Sequence, residues 1–203
     1  MEAAGRVLAE SGLDVTVSAI AEEAGVAKGT VFRHFASKEE LVATVVAGRV
    51  DGLAREAEDL LDTPDPLDAL RRFVAAGIEL QASDRAFCQV AAAAELRMPE
   101  LGERRERLEE IAGLLARRAR DAGVARADLT GRDVVGLMTA AYQGAASTGD
   151  PGRWPFFLAV LVDGLRPVPD EVPARVRRNL VLAGRRKAAG PADQGEAGQP
   201  TEG

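Results

Sequence analysis

Three cationic residues lie close together near the N-terminus and offer the clearest chemistry in the chain. Between Ala24 and Lys38 the sequence contains Lys28, Arg33 and Lys38 and no acidic residue. Thr30 adds a hydroxyl within the same stretch. Side chains of these types bind phosphate oxygens and the edges of bases, so the segment predicts a contact surface for nucleic acid.

The side chains that usually carry catalysis are few and isolated. His34 is the only histidine and has no evident carboxylate partner, so a contact with a backbone phosphate is favoured over acid–base catalysis. Cys88, the single cysteine, cannot form an intrachain disulfide or a multi-thiolate metal site, and a small buried hydrophobe is favoured over a redox sensor. The phosphate-binding patterns GxGxxG and GxxxxGK are also missing. We therefore expect no enzyme activity, no metal and no cofactor.

The composition indicates a helical protein rather than a membrane protein or a β-barrel. Hydrophobic residues make up 46% of the 203 residues but aromatic residues only 4%, so the core must rest on leucine, valine and alanine. No apolar run reaches the ~20 residues of a membrane span, and the first residues lack the apolar stretch of a signal peptide. The cytoplasm is the expected location. The formal net charge of −6 requires any nucleic-acid surface to be local.

The cationic segment falls on the third of three short predicted helices. Gly12 ends the first, which begins near Ala3, and Thr16 caps the second, which Gly25 ends. A third helix over residues 28–35 follows after a tight turn, and this spacing is typical of a bihelical DNA reader. With its apolar residues turned inward, the third helix presents outward Gly29, Thr30 and Arg33.

A long helix and five further helical segments follow. Ser37 and Glu40 form a capping-box pattern at the start of the long helix, whose apolar stripe continues to Leu60. The prolines of TPDP end it. The fold class is therefore predicted to be all-α, and residues 188–203 have the composition of a disordered tail. The five further segments cover residues 67–81, 85–97, 101–122, 130–147 and 154–165.

The stretch IAEEAGVAKGTVFRHFASKEEL resembles the N-terminal signature of the TetR family of bacterial transcriptional regulators. The resemblance implies an all-helical homodimer with an N-terminal three-helix helix-turn-helix domain on a long fourth helix. It also implies a larger C-terminal domain that binds a small-molecule effector and dimerises. The positions that it assigns to contacts with double-stranded operator DNA are Thr16, Lys28, Gly29, Thr30, Phe32, Arg33, His34 and Lys38.

On this basis we divide the chain into three parts. Residues 1–46 are the predicted DNA-binding domain, and residues 47–170 the predicted helical effector-binding and dimerisation domain. Residues 171–203 are a basic segment with a tail predicted to be disordered. The six cations between residues 175 and 187 fit a nucleic-acid contact or a solvated segment equally well.

Three features leave open a second interpretation, an all-helical ligand-binding or scaffold dimer that has lost DNA binding. Acidic residues outnumber cations over residues 1–46. Phe32 stands where family members usually carry a tyrosine, whose hydroxyl could bind a phosphate. Met1 falls almost inside the first helix, where members usually have a longer arm, so either the arm is absent or the true start lies upstream. The acid-free stretch of cations still favours DNA binding.

The last two predicted helices carry more apolar surface than one core can cover. Apolar residues surround the segment 154–165, and the segment 130–147 offers a parallel apolar face. Pairing both helices across a twofold axis would form a four-helix bundle that covers the surplus. The predicted dimer interface consists of Val134, Leu137, Met138, Ala141, Phe156, Phe157, Val160 and Leu161.

Adaptable and aromatic side chains on five segments of the larger domain predict an apolar pocket. Each of them fits a place in the core equally well, but together they favour a mostly apolar effector that tilts the long helix on binding. The predicted function is thus a ligand-responsive repressor that this effector releases from a palindromic operator. The predicted ligand-binding residues are Phe73, Gln81, Phe87, Cys88, Met98, Met138, Tyr142 and Gln143.

Overall fold

The computed structural model describes residues 1–92 and 99–167, and over these ranges all regular structure is helical. Nine α-helices follow one another here, with short 3-10 turns at Gly12–Asp14 and Pro151–Arg153. Contacts between these helices join them into one compact unit. The helices are α1 Glu2–Ser11, α2 Val17–Glu23, α3 Lys28–His34, α4 Lys38–Leu60, α5 Pro66–Ser83, α6 Arg85–Ala92, α7 Pro99–Asp121, α8 Gly131–Ser147 and α9 Trp154–Gly164.

Glycine and threonine determine where the first three helices begin and end. Gly12 follows α1 with a φ of 70°, and Gly25 turns the chain between α2 and α3 with a φ of 65°. Glycine adopts this left-handed conformation without steric cost. The Thr16 hydroxyl accepts a hydrogen bond from the Ala19 N–H at 3.2 Å and so caps α2. Buried side chains from these helices include Ala4, Leu8, Val17, Ile20, Ala21 and Val31.

The long helix α4 connects the N-terminal helices with the rest of the chain. Its 23 residues correspond to a length of ~34 Å, and it contacts α1 as well as α5, α6 and α7. The Ser37 hydroxyl accepts a hydrogen bond from the Glu40 N–H at 3.1 Å. The Glu40 carboxylate in turn accepts from the Ala36 N–H at 2.6 Å, so the reciprocal bond is made one residue before the N-cap.

Close packing of α5, α7 and α8 forms the centre of the larger helical part. Phe73 and Ile78 of α5 are fully buried, and this helix contacts α4 and α6 to α9. Helix α8 approaches α7 closely at its first residue, Gly131. A Cβ atom at this position would overlap the carbonyl oxygen of Glu109 and the backbone of Gly113. The absence of a side chain at Gly131 therefore permits the crossing.

The predicted helices agree with the described ones to within two residues at every boundary inside the described ranges. The all-α prediction is thereby confirmed for this part of the chain. The predicted end of α6 at residue 97 lies outside the described residues, and so do the basic segment and the tail. The domain boundaries at residues 46 and 170 stay a prediction. None of the described helices is long and apolar enough to cross a membrane.

Candidate functional site

The outer side of α3 is a solvent-exposed surface that carries positive charge. Val31 is buried and fixes α3 to the core, whereas Lys28, Gly29, Phe32 and Arg33 are exposed. Within the part of the chain that the structure describes, neither cation forms an ion pair with a carboxylate. Their charge is therefore available to neutralise the phosphates of a nucleic acid.

Contacts between neighbouring side chains order this surface. The Lys28 ammonium lies 5.8 Å from the centroid of the Phe32 ring, and the Arg33 Nη2 donates a hydrogen bond to the Thr30 Oγ1 at 3.3 Å. The Phe32 side chain is 45% exposed, so one part of an apolar ring is open to a partner. Such a ring can contact the methyl group of thymine while the cations bind phosphates, although it lacks the hydroxyl of a tyrosine.

The other predicted DNA contacts differ in how free their side chains are. His34 is exposed at the end of α3, and the exposed Thr16 uses its hydroxyl to cap α2. Lys38 is half-buried, and its ammonium donates a hydrogen bond to the Leu13 carbonyl oxygen. Lys38 therefore holds the turn that precedes α2, a role that the sequence did not predict.

Arg6 is neutralised by carboxylates of its own chain. Its two Nη atoms lie 3.1 Å from carboxylate oxygens of Glu2 and Glu23. The hydrogen bond with Glu23 raises the pKa of the Arg6 guanidinium. The available positive charge of the N-terminal helices is thus concentrated on α3.

A cavity of about 720 Å³ lies among helices α4 to α8. Its volume is within the range of ~300 to 1,000 Å³ that is typical of small-molecule sites. Most of the wall is apolar, and its polar side chains are Gln81, Thr139 and the charged Arg105, Glu106, Glu109 and Arg132. The apolar side chains of the wall include Val46, Val50, Leu53, Phe87, Val90 and Met138.

Gln81 lines this cavity and carries a buried polar atom that is not satisfied. The residue is only 3% exposed, and its Nε2 donates a hydrogen bond to the Gly77 carbonyl oxygen at 3.3 Å. Its Oε1 is shielded from solvent and has no hydrogen-bond partner. Among the described residues, no other buried side-chain oxygen or nitrogen lacks a partner. A buried acceptor without a donor costs ~1 to 3 kcal/mol, so a donor brought by a bound molecule would be stabilising.

Three of the four charged residues of the wall pair with one another, and the fourth, Glu106, is exposed to solvent. The Glu109 carboxylate accepts hydrogen bonds from the Nε atoms of Arg105 and Arg132 at 3.0 Å and 3.1 Å. The carboxylate side chain is 13% exposed, whereas both guanidinium groups are largely in solvent. The carboxylate thus has its counter-charges without any ligand, and it links α7 to α8.

The predicted ligand-binding residues are only partly brought together. Gln81, Phe87 and Met138 line the cavity. Phe73 does not line it and needs correction, because its ring is fully buried in the packing around α5. Met98 lies outside the described residues.

Cys88, Tyr142 and Gln143 form a cluster of their own and do not line this cavity, so their role in ligand binding stays a prediction. The Gln143 Nε2 donates to the Cys88 Sγ at 3.5 Å. Burial raises the pKa of the Cys88 thiol and of the Tyr142 hydroxyl. Helical periodicity predicted inward-facing side chains here, but it does not tell which neighbouring helix they meet. For the same reason the α4 side chains of the wall were not predicted, because their spacing is also that of a helix face packed in the core.

The predicted dimer interface is divided between the protomer's core and its surface. Val134, Met138 and Ala141 of α8 are buried within the protomer by its own helices, so they are corrected to core residues. Phe156 and Val160 of α9 are instead 56% and 57% exposed. The half-buried positions are Leu137, Phe157 and Leu161.

The exposed part of α9 is an apolar surface supported from behind by α8. The ring of Phe157 packs against Gly144, where a Cβ atom would lie 2.9 Å from it. The Phe156 ring stands edge-on to the Phe157 ring at 5.7 Å, and the Arg153 guanidinium lies 5.2 Å from the Phe156 centroid. Large apolar groups so exposed on a supported helix mark a surface for association.

Helix α6 connects the cavity with the N-terminal helices. The Leu13 N–H donates a hydrogen bond to the Gln89 Oε1 at 2.7 Å, and α6 contacts α1 and the 3-10 turn that contains Leu13. Gly12 leaves room for this side chain, since a Cβ atom there would overlap the Gln89 Oε1. On the same helix, Phe87 and Val90 line the cavity. No pattern in the sequence indicates this link, because an isolated glutamine is indistinguishable from a surface residue.

The start of α6 is fixed by a buried carboxylate. Asp84 is 3% exposed, and its Oδ1 accepts a hydrogen bond from the Phe87 N–H at 2.8 Å. Its Oδ2 accepts from the Arg49 Nε of α4 at 3.0 Å. The ion pair therefore ties the two helices that contribute both to the cavity and to contacts with the N-terminal part.

Two family models match the chain. Residues 1–45 match the model described as bacterial regulatory proteins of the tetR family, and residues 65–167 match the model of the SbtR-like transcriptional regulator C-terminal domain. The two matched ranges contain α1 to α3 and α5 to α9, respectively.

Individual relatives agree with these models. The HTH-type transcriptional repressor KstR2 of Mycobacterium tuberculosis is 40% identical over 81 residues, which are 39% of this chain and 40% of that repressor. The alignment thus spans less than half of the relative. A TetR transcriptional regulator of Streptomyces coelicolor, SCO0520, is 27% identical with a TM-score of 0.62, over 83% of this chain and 97% of that one. A TetR regulatory protein of Mycobacterium vanbaalenii is 29% identical with a TM-score of 0.57, over 81% and 91%.

Proposed function

Since the chain belongs to the TetR family of bacterial transcriptional regulators, we propose that it is a ligand-responsive repressor. In this proposal a homodimer binds a palindromic operator and is released by a small, mostly apolar effector. The observation that carries the proposal is the position of α6, which lines the cavity and bonds to the turn before α2. One helix thus connects the proposed small-molecule site with the turn that precedes α2 and α3.

In the proposed complex, α3 enters the major groove with its exposed cationic side. Arg33 and Thr30 face base edges, and Lys28 lies beside the phosphates, with the exposed ring of Phe32 between them. This assignment is supported by the lack of carboxylate partners for both cations among the described residues. A guanidinium in the groove reads guanine, whereas an ammonium on the backbone adds affinity for every sequence.

The proposed dimer forms through α9 and the adjoining side of α8. Support comes from the exposed apolar side chains of Phe156 and Val160, which have no cover within the described protomer. A twofold axis brings two copies of the same surface together and places two recognition helices on one operator. Half-sites one DNA turn, ~34 Å, apart would then give the palindrome.

The proposed effector site is the cavity among α4 to α8. A ligand there contacts α4 through residues such as Val50 and α6 through Phe87. Both of these helices also contact α1. Ligand binding shifts an equilibrium only by its different affinity for the two states, so the two conformations must differ in this cavity. A coupling of ~1 to 3 kcal/mol is usual for such systems.

The test begins with DNA from the source genome. The purified protein is mixed with sheared genomic DNA, and the retained fragments are sequenced and tested for a shared palindrome. Binding to that palindrome is then measured against salt concentration for wild type, Arg33→Ala and Arg72→Ala, an exposed arginine of α5 that serves as the control. We expect a steep salt dependence, a large loss for Arg33→Ala and little change for Arg72→Ala.

The second candidate is a ligand-binding dimer that does not bind DNA. The internal neutralisation of Arg6 favours it, because it reduces the charge available to phosphates, and the Lys38 ammonium has one of its donors occupied by the Leu13 carbonyl oxygen. Under this alternative the protein retains no shared palindrome and its weak DNA binding is the same for both arginine variants. The genomic experiment therefore separates the two functions directly.

A further inference from the structure

We propose that the cavity takes a neutral, largely apolar molecule bearing one hydrogen-bond donor, a hydroxyl or an N–H, which the Gln81 Oε1 accepts. The proposal rests on the function proposed above only in calling this molecule the effector. The ligand class itself follows from the wall of the cavity and is tested separately from DNA release.

The orientation of the Gln81 amide is fixed by its own hydrogen bond. Nε2 donates to the Gly77 carbonyl oxygen at 3.3 Å, one helical turn earlier on α5. A flipped amide would place two oxygens, both acceptors only, at this distance. The atom left without a partner is therefore the acceptor Oε1, and the group that satisfies it must be a donor.

The surroundings of Gln81 favour a ligand that is otherwise apolar. Phe87, Val46 and Met138 share the wall with it, and all are buried side chains without charge. Gly77 leaves the space above α5 to the Met138 thioether. Because Oε1 is closed to solvent in this structure, the donor of a ligand must displace a neighbouring side chain, and the unbranched, flexible Met138 can move aside.

The charged residues of the wall argue against an ionic ligand. Glu109 already holds Arg105 and Arg132, so a ligand ion would compete with a formed ion pair there, and the fourth charged side chain, Glu106, is exposed to solvent. An ion placed against the apolar part would lose its hydration without gaining a counter-charge. A neutral donor such as an alcohol, phenol or amide N–H avoids both costs.

The experiment uses three pairs of compounds in which O-methylation removes the donor. The alcohols are n-decanol, cyclododecanol and para-phenylphenol, and each is compared with its methyl ether by thermal shift and calorimetry on the full-length protein. We expect at least one alcohol to bind about tenfold more tightly than its ether, near the upper end of what one hydrogen bond supplies. Equal affinity within all three pairs, or no binding of any alcohol, overturns the proposal.

A substitution assigns this preference to one atom. In Gln81→Leu the preference for the alcohol is expected to disappear, while Gln143→Leu, an amide on α8 outside the cavity wall, keeps it. Gln81→Leu removes the 3.3 Å bond from Nε2 to Gly77 but also the unsatisfied Oε1, so it is expected to unfold within a few degrees of wild type. A preference that survives in Gln81→Leu refutes the assignment, and the wild-type comparison decides the ligand class even if this variant does not fold. Alcohols that bind as expected but leave operator DNA bound would contradict the proposed repressor function alone.

Discussion

The hydrogen bond between α6 and the turn before α2 allows a quantitative test of how the cavity acts on DNA binding. Replacing Gln89 by alanine removes the acceptor that the Leu13 N–H reaches at 2.7 Å. The substitution leaves the cavity wall unchanged, because Gln89 does not belong to it. We expect operator binding to persist and its response to a cavity ligand to weaken.

The expected size follows from the single contact that is lost. A net contribution of ~1 kcal/mol for one hydrogen bond is a substantial part of a coupling of ~1 to 3 kcal/mol. The ligand response is the operator affinity without ligand divided by the operator affinity with ligand. Removing the hydrogen bond lowers this ratio by about fivefold. The link between α6 and α1 also includes packing, so part of the response remains.

The assay is fluorescence anisotropy of a labelled operator, titrated with and without a saturating cavity ligand. Amide hydrogen exchange at Leu13 provides an independent readout, since its N–H loses protection in Gln89→Ala. Gln143→Ala removes another side-chain amide, on α8, and serves as the control. If Gln89→Ala keeps the wild-type affinity ratio although Leu13 exchanges faster, the hydrogen bond does not transmit the effect of the ligand and the reasoning is refuted.

Three further predictions concern the DNA surface, the dimer and the helix packing. Arg33→Ala should change the preferred operator sequence, whereas Lys38→Ala should weaken binding to all sequences alike and lower the salt slope by ~1. Lys38→Ala should also cost ~1 kcal/mol of folding stability, because it loses the bond to the Leu13 carbonyl oxygen. Operator titrations at several salt concentrations and urea unfolding check both variants. Phe156→Glu should leave the protomer folded but make it monomeric and unable to hold the operator, as sedimentation and anisotropy would show; a dimer that survives contradicts the α9 interface. Gly131→Ala should lower the free energy of unfolding by more than ~3 kcal/mol, because its Cβ meets backbone atoms of α7 that cannot rotate away. Gly136→Ala, at a position with open space around it, should cost little, and similar unfolding midpoints for the two variants would contradict this prediction.

Local signals in the sequence were sufficient for the helices of this protein. The hydroxyls of Ser37 and Thr130 cap α4 and α8, and Gly25 takes the positive φ that its place in the turn requires. Each of these features depends on a few neighbouring residues, so it can be recognised without knowledge of the fold. The recognition helix was predicted for the same reason.

The cavity and the proposed dimer surface could be predicted only in part, because they depend on which helix covers which face. Val134 and Val160 both belong to apolar stripes, yet the protomer's own helices bury the first and leave the second exposed. Phe73 and Phe87 likewise looked equivalent, but only Phe87 reaches the cavity. A helical period places residues on a common face and gives no information on the partner of that face. Long-range packing decides it.

The backbone of Leu13 is the place where two of the helices that line the cavity, α4 and α6, bond to the turn before α2. Its N–H is bound by Gln89 of α6, and its carbonyl oxygen by Lys38 at the start of α4. A ligand that separates α4 from α6 within the cavity would pull on these two bonds in different directions. Three residues later, Thr16 caps α2, so a displaced turn moves the helix that supports α3. In the proposed mechanism the turn responds to the relative position of α4 and α6. Loss of both the Gln89 and the Lys38 side chains should then reduce the ligand response by less than the sum of the single losses, because either loss alone already uncouples the turn from one of the two helices.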